Sequence, residues 1–153
     1  MNLRITKALA STVIGILSCY GAITAQERPD CATDVLAKTE RQIGHLPDGG
    51  WKDFFESLDP RCKGDTRYMG WVNDLLFRTL ESQPTQFIQA FEALPRLKQR
   101  LILDELSSPR HPGLDAARTY DLTRNVAGPE EPKQRILQAL TKAGCRCETE
   151  IIE

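Results

Sequence analysis

Histidine is scarce in this chain: its 153 residues include only two, His45 and His111. Neither stands in an H-E-x-x-H pair, no serine occupies a G-x-S-x-G turn, and no glycine-rich phosphate loop is present. The local patterns of zincins, α/β-hydrolases and P-loop NTPases are therefore missing. Charge of one sign is also lacking, with 20 basic against 21 acidic residues interspersed along the chain. Such a balance gives no electrostatic footprint for nucleic acid and no polybasic surface for anionic lipid. Strand patterns are equally sparse. Only "CETEI", near the end, alternates as a half-buried strand does.

What is present begins with the N-terminus. Arg4 and Lys7 precede an uncharged, largely apolar stretch over 8–25 that closes on small residues at Ala25. That order predicts a secretory signal peptide over 1–25. The 18 uncharged residues also reach the lower limit of a membrane span, so a retained anchor is the alternative, weakened by Gly15 and Gly21. The residues "ILSC" ending at Cys19 resemble the lipobox of bacterial lipoproteins, which implies a lipidated Cys19 as a third outcome. Either cleavage makes the protein exported, periplasmic or secreted, with no further membrane attachment unless Cys19 is lipidated.

Residues 26–153 then form one domain, with 18 basic and 21 acidic residues. A chain of this length buries about two thirds of its unfolded surface, enough for a core of its own. Apolar residues recur at three and four throughout. Met69, Val72, Leu76 and Leu80 mark the clearest amphipathic helix, over 66–82. Other helices are expected over 30–46, from Trp51 to about 58, from Pro84 to Leu94, from Arg96 to Leu106, through Leu122, and finally to Gly144 at a C′ position. The expected fold is all-α: a compact bundle of six or seven short helices. The recurrence of helix, then "SQP", "SSP" or "AGP", then helix makes a short α-solenoid-like array of helix pairs the alternative.

Four cysteines remain after a cut at Ala25: Cys31, Cys62, Cys145 and Cys147. An even set in an exported chain reads as two disulfides. A zinc site lacks its paired knuckles, and thiolate copper(I) ligation is opposed by an oxidising compartment. Pairing Cys145 with Cys147 closes a very tight ring. The expectation is Cys31–Cys147 with Cys62–Cys145, or the reverse, anchoring the C-terminal tail.

For a binding surface the sequence offers Trp51, directly after two glycines, and the "HPG" turn at His111 and Pro112. Trp51 is either an exposed interface anchor or a staple of the core beneath its helix. No cofactor and no metal are expected. The functional expectation is an exported non-enzymatic protein–protein interaction module with a protein partner, of which an inhibitor or immunity-type protein is one form. A small apolar-ligand carrier and an enzyme with a spatially assembled site are the alternatives.

Overall fold

The computed structural model describes residues 31–148, with side chains as far as Gly144. The expected signal peptide, Cys19 and the last five residues lie outside the described residues. Seven α-helices follow in order: α1 Thr33–Arg41, α2 Asp48–Ser57, α3 Thr66–Ser82, α4 Pro84–Glu92, α5 Arg96–Leu106, α6 Ala116–Arg124 and α7 Glu130–Glu148. A 3-10 turn at Pro60–Gly64 joins α2 to α3, and no strand occurs among the described residues.

Helix α3 occupies the centre, because its apolar stripe wraps much of its circumference. Tyr68, Met69, Val72, Leu75, Leu76, Phe77 and Leu80 are all buried. It packs against α1, α4, α5 and α6, while α7 lies across α4, α5 and α6. In a solenoid each unit touches only its neighbours in sequence. Contacts of α3 with α6 and of α4 with α7 make this a compact bundle instead.

The core is aromatic at one end. Trp51, Phe55 and Phe87 meet with ring centroids 5.2 to 5.9 Å apart, and Phe87 stands edge-on to both partners. Such edge contacts add about 0.5–1.5 kcal/mol each beyond the buried area. Trp51 is 3 % exposed, so it is the core staple and not the exposed anchor that a binding role requires. The cause is the start of α2. The helix opens at Asp48, so "GG" lies in its first turn and is no break before it. A Cβ on Gly50 would stand 3.1 Å from Leu46 and Pro47, and glycine lets the first turn close against them, aiming Trp51 inward.

Helix α1 stops at Arg41, earlier than the periodicity predicts, because Gly44 turns the chain with φ of 91°. His45 is therefore exposed in the following turn, its N–H donating to the Gln42 carbonyl at 2.9 Å.

Several helix ends are closed by side chains from other helices. Lys98 of α5 donates to the carbonyls of Glu56 and Leu58 at the end of α2, at 2.9 and 2.7 Å. A cation suits a helix C-terminus. Burial pulls the Lys98 ammonium below its ordinary range, opposed by Asp59 and Glu56. The Gln99 amide donates towards the carbonyls of Phe91, Glu92 and Leu94 within 3.2 Å, closing α4, while its oxygen accepts from Arg135 of α7. Arg135 also lies over the Phe91 ring, 5.6 Å from its centroid.

The cysteines pair differently from the expectation. Cys31 is bonded to Cys62, with Cα atoms 6.0 Å apart. This overturns the pairing of Cys31 and Cys62 with Cys145 and Cys147. Packing explains it. Helix α1 contacts both α2 and α3, and the 3-10 turn contacts α3, which sets the residue before α1 beside the turn before α3, whereas α7 packs on α4, α5 and α6. The bridge spans 31 residues, and closing such a loop stabilises by about 3.7 kcal/mol on the chain-entropy account. The tail also departs from expectation. Gly144 does not end α7; the helix runs on to Glu148 and takes in Cys145 and Cys147. Gly144 keeps a negative φ, no proline follows, and one helical glycine costs only about 1 kcal/mol against alanine.

Candidate functional site

The 107–115 segment links α5 to α6 and carries both loop residues singled out in the sequence. A proline-rich connection of this length has no secondary structure to hold it, so its hydrogen bonds must come from elsewhere. Around Ser108 and Arg110 they come from Asn73, which is fully buried in the middle of α3. Its amide nitrogen donates to the carbonyls of Glu105 at 2.8 Å and Ser108 at 3.4 Å. Its oxygen accepts from the Arg110 N–H at 2.9 Å. One side chain thus closes α5 and fixes the first turn of the loop.

Glu105 completes the clamp. Its side chain is only 8 % exposed, and both oxygens accept from the Arg110 guanidinium, at 2.9 and 3.0 Å. The two-bond geometry is the strong form of this pair. It pushes the Arg110 pKa further up, with the hydrogen bond to Glu105 as the main cause. A buried carboxylate without this partner would be costly, so the loop is tied to the core by an interaction that is expensive to break.

Beyond Arg110 the turn is self-supporting. His111 Nδ1 accepts from the Gly113 N–H at 3.0 Å, and the Leu114 N–H donates to the His111 carbonyl. An acceptor Nδ1 puts the proton of neutral imidazole on Nε2. The ring lies so close to Gly113 that a Cβ there would meet it at 3.1 Å, a tighter contact than packed side chains ordinarily make. Asp115 then caps α6, accepting from the Arg118 N–H at 2.9 Å. His111 and Pro112 are exposed at the crest of this held turn.

Below the crest is an open cleft of about 290 Å³ between α3, the loop and α6. Helix α3 contributes Asp74, Phe77, Arg78 and Glu81; His111, Leu114, Asp115 and Arg118 form the other side. Arg78 bridges Asp74 at 3.1 Å and Glu40 of α1 at 3.2 Å, and those hydrogen bonds push its pKa up, Asp74 first. The Glu81 carboxylate accepts from the hydroxyl of buried Thr119 at 2.7 Å. Polar groups do converge here, yet each hydrogen-bonding or ion-pairing partner described is structural.

A second open groove, about 450 Å³, lies between α6 and α7 over Ala116, Ala117, Tyr120 and Leu140. Among the described residues no three metal-ligating side chains come within reach of one ion, and no helix is long and apolar enough to cross a membrane.

Of the residues singled out in the sequence, His111 lines the cleft, Pro112 is exposed next to it in the loop, and Trp51 lies in the core elsewhere. Cys31 and Cys62 form the bridge, while the side chains of Cys145 and Cys147 lie outside the described residues. Sequence reasoning missed Asn73 and the α3 wall. A signal existed for both. Asn73 falls four residues after Met69 and three before Leu76, a lone amide on the apolar stripe. Asp74, Arg78 and Glu81 recur at i, i+4 and i+7, which places them on one face. Comparison with family models finds no match, and comparisons with curated proteins and with solved structures find none either.

Proposed function

We propose that this chain is an exported, non-enzymatic protein–protein interaction module that docks through the 107–115 loop and its cleft. The observation that carries the reading is the clamp of buried Asn73 and Glu105 on exposed Arg110, beneath an exposed His111–Pro112 crest. Exposed loops held in one conformation lose little entropy on docking, which is how a small surface gains affinity. Export is supported by the basic-then-apolar start and by the Cys31–Cys62 bridge, which is compatible with an oxidising compartment. A bacterial periplasm is the compartment this reading favours, and an inhibitor of immunity type is its most concrete form.

The test is capture of partners from the native exported fraction with wild-type protein and a His111→Ser/Pro112→Ser variant of unchanged circular dichroism. A protein enriched by the wild type and depleted by the variant supports the reading. No enriched protein at native expression, or one held equally by both, goes against it.

The α6–α7 groove favours a second reading, a carrier of a small apolar ligand. Its small-residue lining and volume suit one alkyl chain or ring system. Saturable enhancement of an apolar fluorophore, blocked by Ala117→Trp, is the corresponding test.

A further inference from the structure

The charges along the cleft are unequally paired. Three carboxylates, Asp74, Glu81 and Asp115, line it with two guanidiniums, Arg78 and Arg118. Arg78 is already shared between Asp74 and Glu40, and Asp115 uses one oxygen to cap α6. Glu81 is different. It has no ion pair among the described residues, although Thr119 holds one of its oxygens at 2.7 Å. Thr119 is fully buried and its hydroxyl also lies 2.9 Å from the Asp115 carbonyl, so one hydrogen is shared between that carbonyl and Glu81, whose second oxygen has no partner among the described residues.

We propose that this cleft receives an arginine side chain of the protein partner, with Glu81 as its counter-charge and the His111 ring as a planar surface beside it. The proposal rests on the docking reading above and names the chemistry of the anchor. The open cleft, about 290 Å³, accommodates one long side chain with some water. The three-to-two excess of carboxylates selects a cation over an anion. Arginine fits better than lysine because its flat guanidinium engages a carboxylate through two bonds and stacks on planar rings. The imidazole is locked for stacking by the Gly113 N–H on Nδ1 and by its seat against Gly113. Arg118, exposed at the rim and without an ion pair among the described residues, is then the complement for a carbonyl or carboxylate next to the anchor.

The test uses the disulfide-bonded protein, followed by amide chemical shifts during titration with blocked arginine (N-acetyl, N-methylamide). Blocked lysine and blocked glutamate serve as comparisons. Saturating shifts in 74–81 and 111–119 are expected with arginine in the millimolar range, weaker ones with lysine and none with glutamate. Glu81→Gln keeps an acceptor for Thr119 while removing the charge, and weakens arginine binding by about fivefold or more. Equal binding by Glu81→Gln, shifts outside these segments, glutamate binding as tightly as arginine, or no saturable arginine shift each overturns the proposal. If the loop variant still loses the partner while arginine fails to bind, the anchor assignment is wrong and the docking face stands. If the loop variant also retains the partner, both fall.

Discussion

Asn73→Ala is the most informative single change, because it separates a held loop from one that merely lies where it does. The substitution removes the amide donor to the Glu105 and Ser108 carbonyls and the acceptor for the Arg110 N–H. Two well-formed bonds contribute about 1 kcal/mol each, while the Glu105 carbonyl keeps the Ser108 N–H at 3.2 Å. With the small cavity left at a fully buried site, the expected loss is about 2–3 kcal/mol. Urea denaturation reads this as a lower midpoint at unchanged slope. Hydrogen exchange supplies the decisive local measurement. The Arg110 amide sits in an exposed residue but is bonded to Asn73, so it should be protected in the wild type and released in the variant more than helix amides are. Asn73→Asp sharpens the test. It puts a buried carboxylate beside Glu105, whose Oε2 lies 3.4 Å from the native amide nitrogen. Burial and that neighbour raise the pKa of the introduced acid, so the folded state takes up a proton that the unfolded state lacks. Stability should then rise as pH falls from 7 towards the unfolded value of about 4. A loss below about 1 kcal/mol in Asn73→Ala, with the Arg110 amide unprotected in the wild type, would refute the clamp.

Other expectations concern the frame. Non-reducing peptide mapping should recover Cys31 joined to Cys62, and Cys31→Ala/Cys62→Ala should lose about 3–4 kcal/mol in denaturant; a cross-link from either residue to the C-terminal peptide would contradict the packing. Trp51→Ala should cost about 3–5 kcal/mol, and Trp51→Phe much less, because the buried indole nitrogen has no hydrogen-bond partner among the described residues; equal losses in both would contradict this. Asp59 is held down to about 2, mainly by the Arg61 side-chain hydrogen bond and then by the Arg61 N–H. Its folded pKa is below the unfolded one, so the stability it contributes is complete above about pH 4 and fades as pH falls towards 2. At this surface pair screening limits the effect to about 1 kcal/mol, and Asp59→Asn should remove it from the acid limb.

Most helices were legible because long apolar stripes at three and four have few alternative uses. The 66–82 helix matches residue for residue, and Pro84 and Arg96 open helices where the sequence places them. The errors have local physical causes. "GG" before Trp51 reads as a break, but both glycines lie in the first turn of α2, where Gly50 lets the helix start tight against Leu46. Gly144 has the composition of a helix stop without the positive φ that makes one. Disulfide pairing was illegible because it depends on which helix ends meet, and α1 lies beside the turn before α3 only through the tertiary contacts of α1, α2 and α3. The candidate site was half visible. The "HPG" turn stands out by its composition, whereas Asn73 and Glu81 look like ordinary helix residues until α5 and α6 are folded against α3.

Docking through the 107–115 loop is the central claim, and hydrogen–deuterium exchange of the protein with and without its captured partner tests it most directly. The account predicts slowed exchange in 107–119 and in the 74–81 turns of α3, with the rest of the bundle unchanged. Protection confined to the α6–α7 groove, or to any surface that excludes His111, would contradict it.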